Sequence, residues 1–304
     1  MVAVTHAIGV DLGGTKILAG VVTREGEVVR RHERATPATQ DELLTELDAV
    51  ISELRDDSVV AVGLGIPAPI DQRSGRVFPA VNTPLADIDL RDRMRDVHAL
   101  PVGLDNDANA ACIGEWRAGA ARGSTDVVML TLGTGCGGGV ILNGRPFRGA
   151  TGAGVELGHV VIVHDGRPCQ GRCRGRGHLE AYVTGMAATV AAKEAFGPAA
   201  DAHRLVRLAN EGDETARSIL ADIGRHLGSG MGSFVNVFEP KLLVVGGGFG
   251  VAAWDFLIPQ AEEIVMREAL QPMRDEVRIV RAELGTAAGL IGAAFVAFEA
   301  LDAG

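Results

Sequence analysis

The stretch Val10-Asp11-Leu12-Gly13-Gly14-Thr15-Lys16 leads from an apolar run into a glycine-rich turn, and Leu130-Thr131-Leu132-Gly133-Thr134-Gly135 repeats the pattern. The two segments align at a constant offset of 120 residues, the separation of Gly13 and Gly133. Each predicts a strand, a tight turn and a second strand. Glycine lets the backbone approach phosphate oxygens and direct N–H groups at them, so two such turns could hold a polyphosphate between two lobes. The repeat therefore indicates phosphoryl transfer.

The composition favours a large core and excludes some functions. The chain has 304 residues, 47% of them hydrophobic, and a formal net charge of −10. This length suits two domains, and an acidic chain has no electrostatic attraction to nucleic acid. No secretory leader or helix-turn-helix precedes the strand-like residues 7–10, and the apolar run 127–142 is too short to span a bilayer. We therefore expect a cytoplasmic protein that binds neither nucleic acid nor membrane.

Hydrophobic periodicity predicts strands and helices of both halves. Strands are expected within 8–29 and at 59–66, 101–104 and 242–245. Helices are expected at 41–55, 85–97, 108–121, 179–196, 202–210, 215–238 and 285–301. A third glycine turn, Gly246-Gly247-Gly248, follows the strand at 242–245. Because no polar linker separates the halves, the two lobes should meet closely.

Several polar residues in the two turns suit a phosphate site. Asp11 could bind a metal-associated water, and Thr15, Lys16 and Thr134 could contact phosphates. Lysine is rare in this chain and occurs only at positions 16, 193 and 241, so its presence beside the first turn is notable. The alternatives stay open at this point, since such turns also close ordinary hairpins and Lys16 could be a plain surface residue.

Asp107 is the candidate general base. It follows the predicted strand 101–104 and begins a predicted helix, a usual position for active-site residues in open α/β sheets. A carboxylate there could accept the proton of an attacking hydroxyl. The alternative is that Asp107 only caps the helix, with Asp105 and Asn106 as turn residues.

A loop rich in cysteine and histidine suggests a structural metal. His159, Cys169, Cys173 and His178 are separated by ten, four and five residues, and two thiolates with two imidazoles would complete a tetrahedral zinc shell. His164 is an alternative to either histidine, and reduced cysteines in a flexible basic loop remain possible. A disulfide between the two cysteines is disfavoured in a reducing cytoplasm.

Glu156, Glu180 and Asn106 are candidates for binding a sugar. Carboxylates and amides form the paired hydrogen bonds that distinguish ring hydroxyls. Taken alone, either glutamate could simply be solvated.

In this order, these motifs resemble those of ROK-family sugar kinases over essentially the whole chain. The resemblance rests on 11–16, 65–69, 105–110, 132–139, 156–159 and 179–180. It implies an α/β protein of the actin-like ATPase (ribonuclease H-like) fold, with two lobes that each contain a β-sheet flanked by helices. The smaller lobe would comprise residues 1–118 and 286–304, and the larger lobe residues 119–285.

The resemblance also implies an activity, the phosphorylation of a sugar by ATP with Mg²⁺ and a structural Zn²⁺. Within the family, the chain is most similar to bacterial ATP-dependent glucokinases, which act on the 6-hydroxyl of glucose. Asp107 would be the catalytic base. The sugar would contact Asn106, Glu156, His159, Glu180 and Gly65. ATP and Mg²⁺ would contact Asp11, Gly13, Gly14, Thr15, Lys16, Gly133, Thr134, Gly135, Gly246, Gly247 and Gly248.

The metal loop departs from the family pattern, and several alternatives follow from the resemblance. Two additional residues separate Cys169 from Cys173, and His178 stands where the family has a cysteine. The zinc ligands would nevertheless be His159, Cys169, Cys173 and His178. An N-acetylhexosamine or other hexose kinase is the main alternative, and a non-catalytic sugar sensor or repressor is a remote one. Polyphosphate as donor also stays open, and a homodimer is the family expectation.

Overall fold

The computed structural model of the protein describes residues 5–80, 83–171 and 173–303. Its strands are β1 (His6–Leu12), β2 (Lys16–Thr23), β3 (Val28–Ala35), β4 (Val59–Ile66), β5 (Ile70–Asp71), β6 (Arg76–Val77), β7 (Ile88–Asp89), β8 (Val102–Asn106), β9 (Val127–Leu132), β10 (Cys136–Leu142), β11 (Arg145–Pro146), β12 (Leu242–Gly246) and β13 (Arg278–Arg281). Its α-helices are α1 (Gln40–Leu54), α2 (Leu90–His98), α3 (Asp107–Ala118), α4 (Glu180–Val183), α5 (Gly185–Phe196), α6 (Ala202–Asn210), α7 (Glu214–Phe238), α8 (Gly248–Ala252), α9 (Trp254–Glu268), α10 (Met273–Glu276) and α11 (Ala288–Ala303).

Two five-stranded sheets share one topology. The first has the order β3-β2-β1-β4-β8 and the second the order β11-β10-β9-β12-β13. In each, the strand before the glycine turn pairs antiparallel with the strand after it and parallel with a later strand. The repeat at an offset of 120 residues therefore marks β1–β2 and β9–β10 as equivalent hairpins. Both turns lie at the same end of their sheets, which the matched registers require.

A row of glycines seats the C-terminal helix on the first sheet. Gly9, Gly63 and Gly103 are direct neighbours across β1, β4 and β8. A Cβ atom at these positions would lie 2.0, 1.9 and 2.3 Å from carbonyl oxygens of α11. Because real side chains cannot approach so closely, only glycine lets the helix backbone lie on the sheet. Helix α11 thus returns the end of the chain to the sheet at which it began.

The apolar character of α11 follows from this position. Residues 285–303 are long and apolar enough to cross a membrane by composition, with a mean hydropathy of 1.4, but 61% of this apolar stretch is buried inside the protein. The helix packs against β1, β4, β8 and α3, so its hydrophobicity belongs to the core. The predicted division into 1–118 with 286–304 and 119–285 stays a prediction, although β1–β8 fall within the first range and β9–β13 within the second.

The predicted elements need several corrections of detail, and the helix expected at 108–121 already ends at Ala118. The helix expected from residue 85 begins at Leu90, because Asp87 has a positive φ of 52° that a helix does not allow. The helix expected at 179–196 is broken at Thr184, which is extended and caps α5 through its hydroxyl. Strand β8 continues to Asn106 instead of ending at Leu104. Helix α9, with Pro259 in its interior, was not anticipated.

Candidate active site

A cavity of about 450 Å³ lies between the two lobes and gathers most of the predicted sugar-binding residues. We name it the carboxylate cavity, and its lining includes Asn106, Asp107, Glu156, His159 and Glu180. A second opening of about 800 Å³, the turn cavity, is lined by Gly13, Gly14, Thr15, Thr134 and again Asp107. Asp107 therefore stands where the two cavities meet.

The local fold at Asp107 differs from the helix-cap alternative. Asn106 is the N-cap of α3, and its Oδ1 accepts hydrogen bonds from the backbone N–H groups of Ala108 at 2.9 Å and Asn109 at 3.3 Å. Asp107 is the first helical residue, and its Oδ1 accepts from the N–H of Ala108 at 2.8 Å. Burial raises the pKa of Asp107 above its usual value, and the hydrogen bonds made to its own carboxylate, first of all from the N–H of Ala108, offset the effect only in part. A raised pKa makes this carboxylate a stronger proton acceptor once it is ionised.

Asp11 lies close enough to Asp107 for the two charges to interact. Burial, followed by the repulsion of Asp107, raises the pKa of Asp11 to about 7, while Lys16 lowers it in part. Two neighbouring carboxylates beside glycine turns suit a hard divalent cation that binds through oxygen atoms or water. Lys16 itself is exposed and forms an ion pair with Glu33 at 3.2 Å, and it is not among the residues that line the turn cavity.

The two glycine turns are closed by short backbone hydrogen bonds. The N–H of Gly13 donates to the carbonyl of Lys16 at 2.8 Å, and the N–H of Gly133 donates to the carbonyl of Gly135 at 3.0 Å. Sequence reasoning missed Thr36, whose hydroxyl donates to the carbonyl of Gly13 at 2.7 Å and braces the first turn. Only its proximity in the folded chain identifies it, because it follows β3.

An apolar cavity of about 590 Å³ continues from the second turn. Gly133 and Thr134 lie at one side of it, and the side chains of Met186, Val206 and Phe249 supply much of its apolar surface. These residues come from α5, α6 and α8, and no sequence motif singled them out. The flat heterocycle of a nucleotide fits a cavity of this character.

The third glycine turn borders three cavities, and Gly247 lines the carboxylate cavity. Gly248 lines the apolar cavity, and all three of its glycines line a separate space of about 460 Å³ that also contains Asp11 and Asp107. Gly247 has a φ of 81°, and a Cβ atom there would lie 2.4 Å from the carbonyl oxygen of Leu132. This turn must therefore be glycine to pass over the end of β9.

The two glutamates of the carboxylate cavity are held in different ways. Glu180 begins α4, and its Oε2 accepts from the backbone N–H of Cys136 at 2.9 Å, so it is anchored to the start of β10. Glu156 faces the cavity, and loss of solvent raises its pKa. The carboxylates of Asp107 and Glu180 add to this effect and His159 opposes it. Glu180 is therefore not the freely solvated surface residue that sequence alone allowed, whereas Glu156 lines the cavity with an exposed side chain.

Gly65 does not reach the carboxylate cavity. It is buried at the end of β4, where a Cβ atom would lie 3.1 Å from Cβ of Ala110 and 3.6 Å from Cα of Asp107. Its lack of a side chain lets α3 approach the sheet, so its effect on the site is indirect. The neighbouring residues Pro67, Ala68 and Pro69 line the cavity instead.

The cysteine and histidine residues of the loop converge on one point. Ligand atoms of His159, Cys169, Cys173 and His178 all lie within 4.8 Å of one another. The two Nδ1 atoms are 3.1 Å apart, and each lies 3.6 Å from the sulfur of a cysteine. Tetrahedral coordination with bonds of about 2.0–2.3 Å separates ligand atoms by about 3.3–3.8 Å, which these distances approach. His164 is exposed and outside the cluster.

The chemistry of this cluster also suits a metal ion. Both cysteines are free thiols, and burial, together with the neighbouring thiol, raises the pKa of Cys169 to about 12. Without a metal ion, the raised pKa keeps Cys169 protonated. A divalent cation would favour the deprotonated form, because it binds the thiolate. Gly175 accommodates His178, since a Cβ atom at Gly175 would lie 2.3 Å from Cε1 of that ring.

The two equivalent sheets and the cleft between them define an α/β protein of the actin-like ATPase fold, with the site at the lobe junction. The chain belongs to the ROK family, whose model matches residues 7–300. Both the predicted fold class and the resemblance to this family are confirmed.

Known relatives are similar over nearly the full length of the chain. A glucokinase of Streptomyces coelicolor is 32% identical and covers 96% of this chain and 97% of its own. An N-acetyl-D-glucosamine kinase of Pectobacterium carotovorum is 33% identical, with 95% and 97% covered. The crystal structure of a ROK family glucokinase from Streptomyces griseus in complex with glucose and AMPPNP superimposes with a TM-score of 0.83 at 32% identity, covering 97% of this chain and 99% of that one.

Proposed function

We propose that the protein is an ATP-dependent glucokinase that phosphorylates the 6-hydroxyl of glucose. The observation that carries this proposal is the position of Asp107, which lines both the carboxylate cavity and the turn cavity. A sugar in the first and a triphosphate in the second would meet at this carboxylate. The glucokinases among the relatives, and the neighbour with glucose and a nucleotide analogue, support the choice of substrates.

The nucleotide would lie across the second lobe. Its base would occupy the apolar cavity, and its phosphates would pass the backbone N–H groups of the turns at Gly13–Thr15 and Gly133–Gly135. Gly246, Gly247 and Gly248 would lie beside it. When bound near Asp11, Mg²⁺ would neutralise the charge that develops on the phosphates. Thr15, Thr134 and Lys16 would contribute polar contacts or positive charge from the rim, since all three are exposed.

The sugar would be oriented by hydrogen bonds and aligned with the donor. Asn106, Glu156, His159 and Glu180 would bind its hydroxyls, and Gly65 would act only through the packing of α3. The 6-hydroxyl would then lie in line with the terminal phosphate, and Asp107 would accept its proton as the new bond forms. Closure of the lobes would exclude water and limit hydrolysis of ATP.

We also propose that His159, Cys169, Cys173 and His178 hold a structural Zn²⁺. Four protein ligands leave no open position, so the ion would brace the loop and take no part in phosphoryl transfer. His159 belongs to the metal cluster and also lines the carboxylate cavity. The ion would therefore fix one wall of the sugar site. The predicted dimer and the predicted cytoplasmic location stay predictions.

The replacement Asp107→Asn tests the catalytic assignment. A general base contributes about 10²–10⁴-fold to rate, so kcat should fall by about that factor in a coupled assay of ADP release. Glucose binding measured by calorimetry should persist, because the amide keeps the size of the side chain. Asp57→Asn is a matched control on an exposed loop at the opposite end of β4. Near-normal turnover of Asp107→Asn would rule out its role as the base.

An N-acetylhexosamine kinase is the second candidate, because the relative from Pectobacterium carotovorum is as similar to this chain as the glucokinases are. The two functions differ at the 2-position of the sugar. Coupled rates with glucose, mannose, N-acetylglucosamine, N-acetylmannosamine and fructose separate them, and a parallel series with polyphosphate tests the donor. A tenfold or greater preference in kcat/KM for an N-acetylated sugar would replace the glucokinase proposal.

A further inference from the structure

Arg148 forms a partly buried link between the two lobes next to the proposed catalytic aspartate. It lies just after β11, and its Nε donates to Oδ2 of Asp105 at 2.6 Å. Its Nη2 donates to Oε2 of Glu299 on α11 at 2.9 Å. Asp105 is fully buried and the Arg148 side chain is 23% exposed. One guanidinium of the second sheet's chain segment thus binds two carboxylates of the first lobe.

Asp105 carries the effect of this link to the reacting carboxylate. Its Oδ1 accepts from the backbone N–H of Asn106 at 2.9 Å and from Nδ2 of Asn109 at 3.0 Å. These two hydrogen bonds fix the end of β8 and the first turn of α3, between which Asp107 is held. A buried carboxylate with no cation beside it is strongly unfavourable. The position of Asp107 therefore depends on a charge supplied from the other lobe.

The same arginine anchors the loop that carries Glu156. The carbonyl of Arg148 accepts from the N–H of Gly154 at 3.0 Å, which closes the loop on itself. The carbonyl of Thr151 accepts from the N–H of Gln72 at 2.9 Å, so the loop is also attached to the first lobe at its tip. Residues 148–156 therefore contact the first lobe although they follow strands of the second sheet.

We propose that Arg148 is a positioning residue that aligns the sugar-binding loop with the catalytic aspartate. It holds Asn106 and Asp107 through Asp105, and it holds Glu156 through the closed loop, so that the sugar hydroxyl and its proton acceptor keep one relative geometry. This inference rests on the proposed function. It assigns to Arg148 a contribution to glucose binding and turnover without contact with the sugar.

Two variants of Arg148 test this, with Arg145→Met as a matched control. Arg145 is exposed on β11, three residues away, and its replacement removes the same charge. For Arg148→Met we expect kcat/KM for glucose to fall about 100-fold, the cost of a misplacement of about 1 Å, with an increased KM for glucose and an unchanged KM for ATP. The kcat/KM of Arg148→Lys for glucose should lie between the values for the wild type and Arg148→Met. Lysine keeps the charge, but a point charge cannot bind both carboxylates as the planar guanidinium does.

The double variant Asp105→Asn/Arg148→Met separates positioning from charge compensation. It removes both buried charges, so thermal stability should recover toward that of the wild type. If Arg148 positions the loop, the KM for glucose stays high in this variant. Recovery of both stability and glucose KM would show that Arg148 only neutralises Asp105, and would overturn the inference. Wild-type values of kcat and glucose KM in Arg148→Met would overturn it as well.

Failure of the proposed function gives a different result. In that case the wild type either prefers an N-acetylated sugar tenfold or more in kcat/KM or phosphorylates none of the hexoses tested, and replacing Arg148 does not change this. The inference is then decided by glucose binding in calorimetry. Binding that is equal in the wild type and Arg148→Met contradicts it, and binding that is weakened only in the Arg148 variants supports it. If Arg148→Met does not fold, the glucose KM and glucose binding of Arg148→Lys are compared with those of Arg145→Met. Weaker binding only in Arg148→Lys supports the inference, and equal binding contradicts it.

Discussion

Glu115 of α3 joins both chain segments that cross between the lobes, and its replacement should destabilise the protein strongly. Its side chain is fully buried. Oε2 accepts from the N–H groups of Ala120 at 2.8 Å and Glu283 at 3.1 Å, and Oε1 accepts from the N–H of Leu284 at 2.8 Å. Ala120 lies on the way from α3 to β9, and residues 283–284 lie on the way from β13 to α11. One carboxylate therefore satisfies donors on both crossings.

The expected loss follows from the number of donors left without a partner. Glu115→Gln replaces one acceptor oxygen by an NH₂ group, which leaves one or two backbone N–H groups unsatisfied, depending on how the amide is turned. Each unsatisfied buried donor costs about 1–3 kcal/mol. We therefore expect the free energy of unfolding to fall by about 1–3 kcal/mol or more for Glu115→Gln. For Glu115→Ala, which leaves three donors, we expect at least about 3 kcal/mol.

Urea unfolding followed by circular dichroism measures this effect. The wild type, the two variants and the control Glu263→Gln, an exposed position on α9, are compared by circular dichroism and by tryptophan fluorescence. Two probes are needed because a two-lobed protein need not unfold in one step, and coincident transitions test this. Surface replacements usually change stability by less than about 0.5 kcal/mol, and the control should do the same. The reasoning is refuted if Glu115→Ala remains within that range of the wild type, or if Glu115→Gln is the less stable of the two.

Two further predictions concern packing and metal binding. Gly63→Ala puts a Cβ atom 1.9 Å from a backbone oxygen of α11, so we expect the melting temperature to fall and soluble yield to decrease, at a cost of about 3 kcal/mol or more. The control is Gly232→Ala on α7, where the atom nearest to the added Cβ is 3.1 Å away, and it should change the melting temperature little. Equal melting temperatures for the two variants would contradict the close packing of α11. Elemental analysis should find stoichiometric zinc in the wild type and lose it in Cys173→Ala, whereas the buried Cys112→Ala should retain it. Zinc in equal amount in both variants would contradict the ligand assignment.

Local pattern was sufficient for much of the fold. The strand at 59–66 was predicted with its observed bounds, and the helix at 202–210 likewise. Both depend on the side chains of their own segment, whose apolar spacing has the period of the element. The helix predicted across Thr184 was wrong, because its hydroxyl instead accepts from the N–H of Ala187 and begins a new helix. Such a choice between two hydrogen-bonding partners is poorly marked in sequence.

The local sequence pattern did not predict the contacts between segments that are distant along the chain. The run Gly137-Gly138-Gly139 resembles a continuation of the phosphate turn, but it lies inside β10. Cβ atoms at Gly137 and Gly139 would lie 2.7 and 2.2 Å from side-chain atoms of α3, and one at Gly138 would lie 2.6 Å from Leu157. These glycines allow two elements to approach one strand from opposite faces. Nothing in the run itself distinguishes this from a turn.

The sequence by itself determined the family, the paired glycine turns and the residue types able to bind a metal or accept a proton, because these depend on residue identity and on spacing along the chain. Only the tertiary structure decided that Asn106 caps α3, that Gly65 acts through packing, and that Arg148 and Glu115 connect the lobes. The physical reason is that a buried charge or an unsatisfied N–H group takes its partner from whatever segment folds against it. For Arg148 and Glu299 that partner is 151 residues away along the chain.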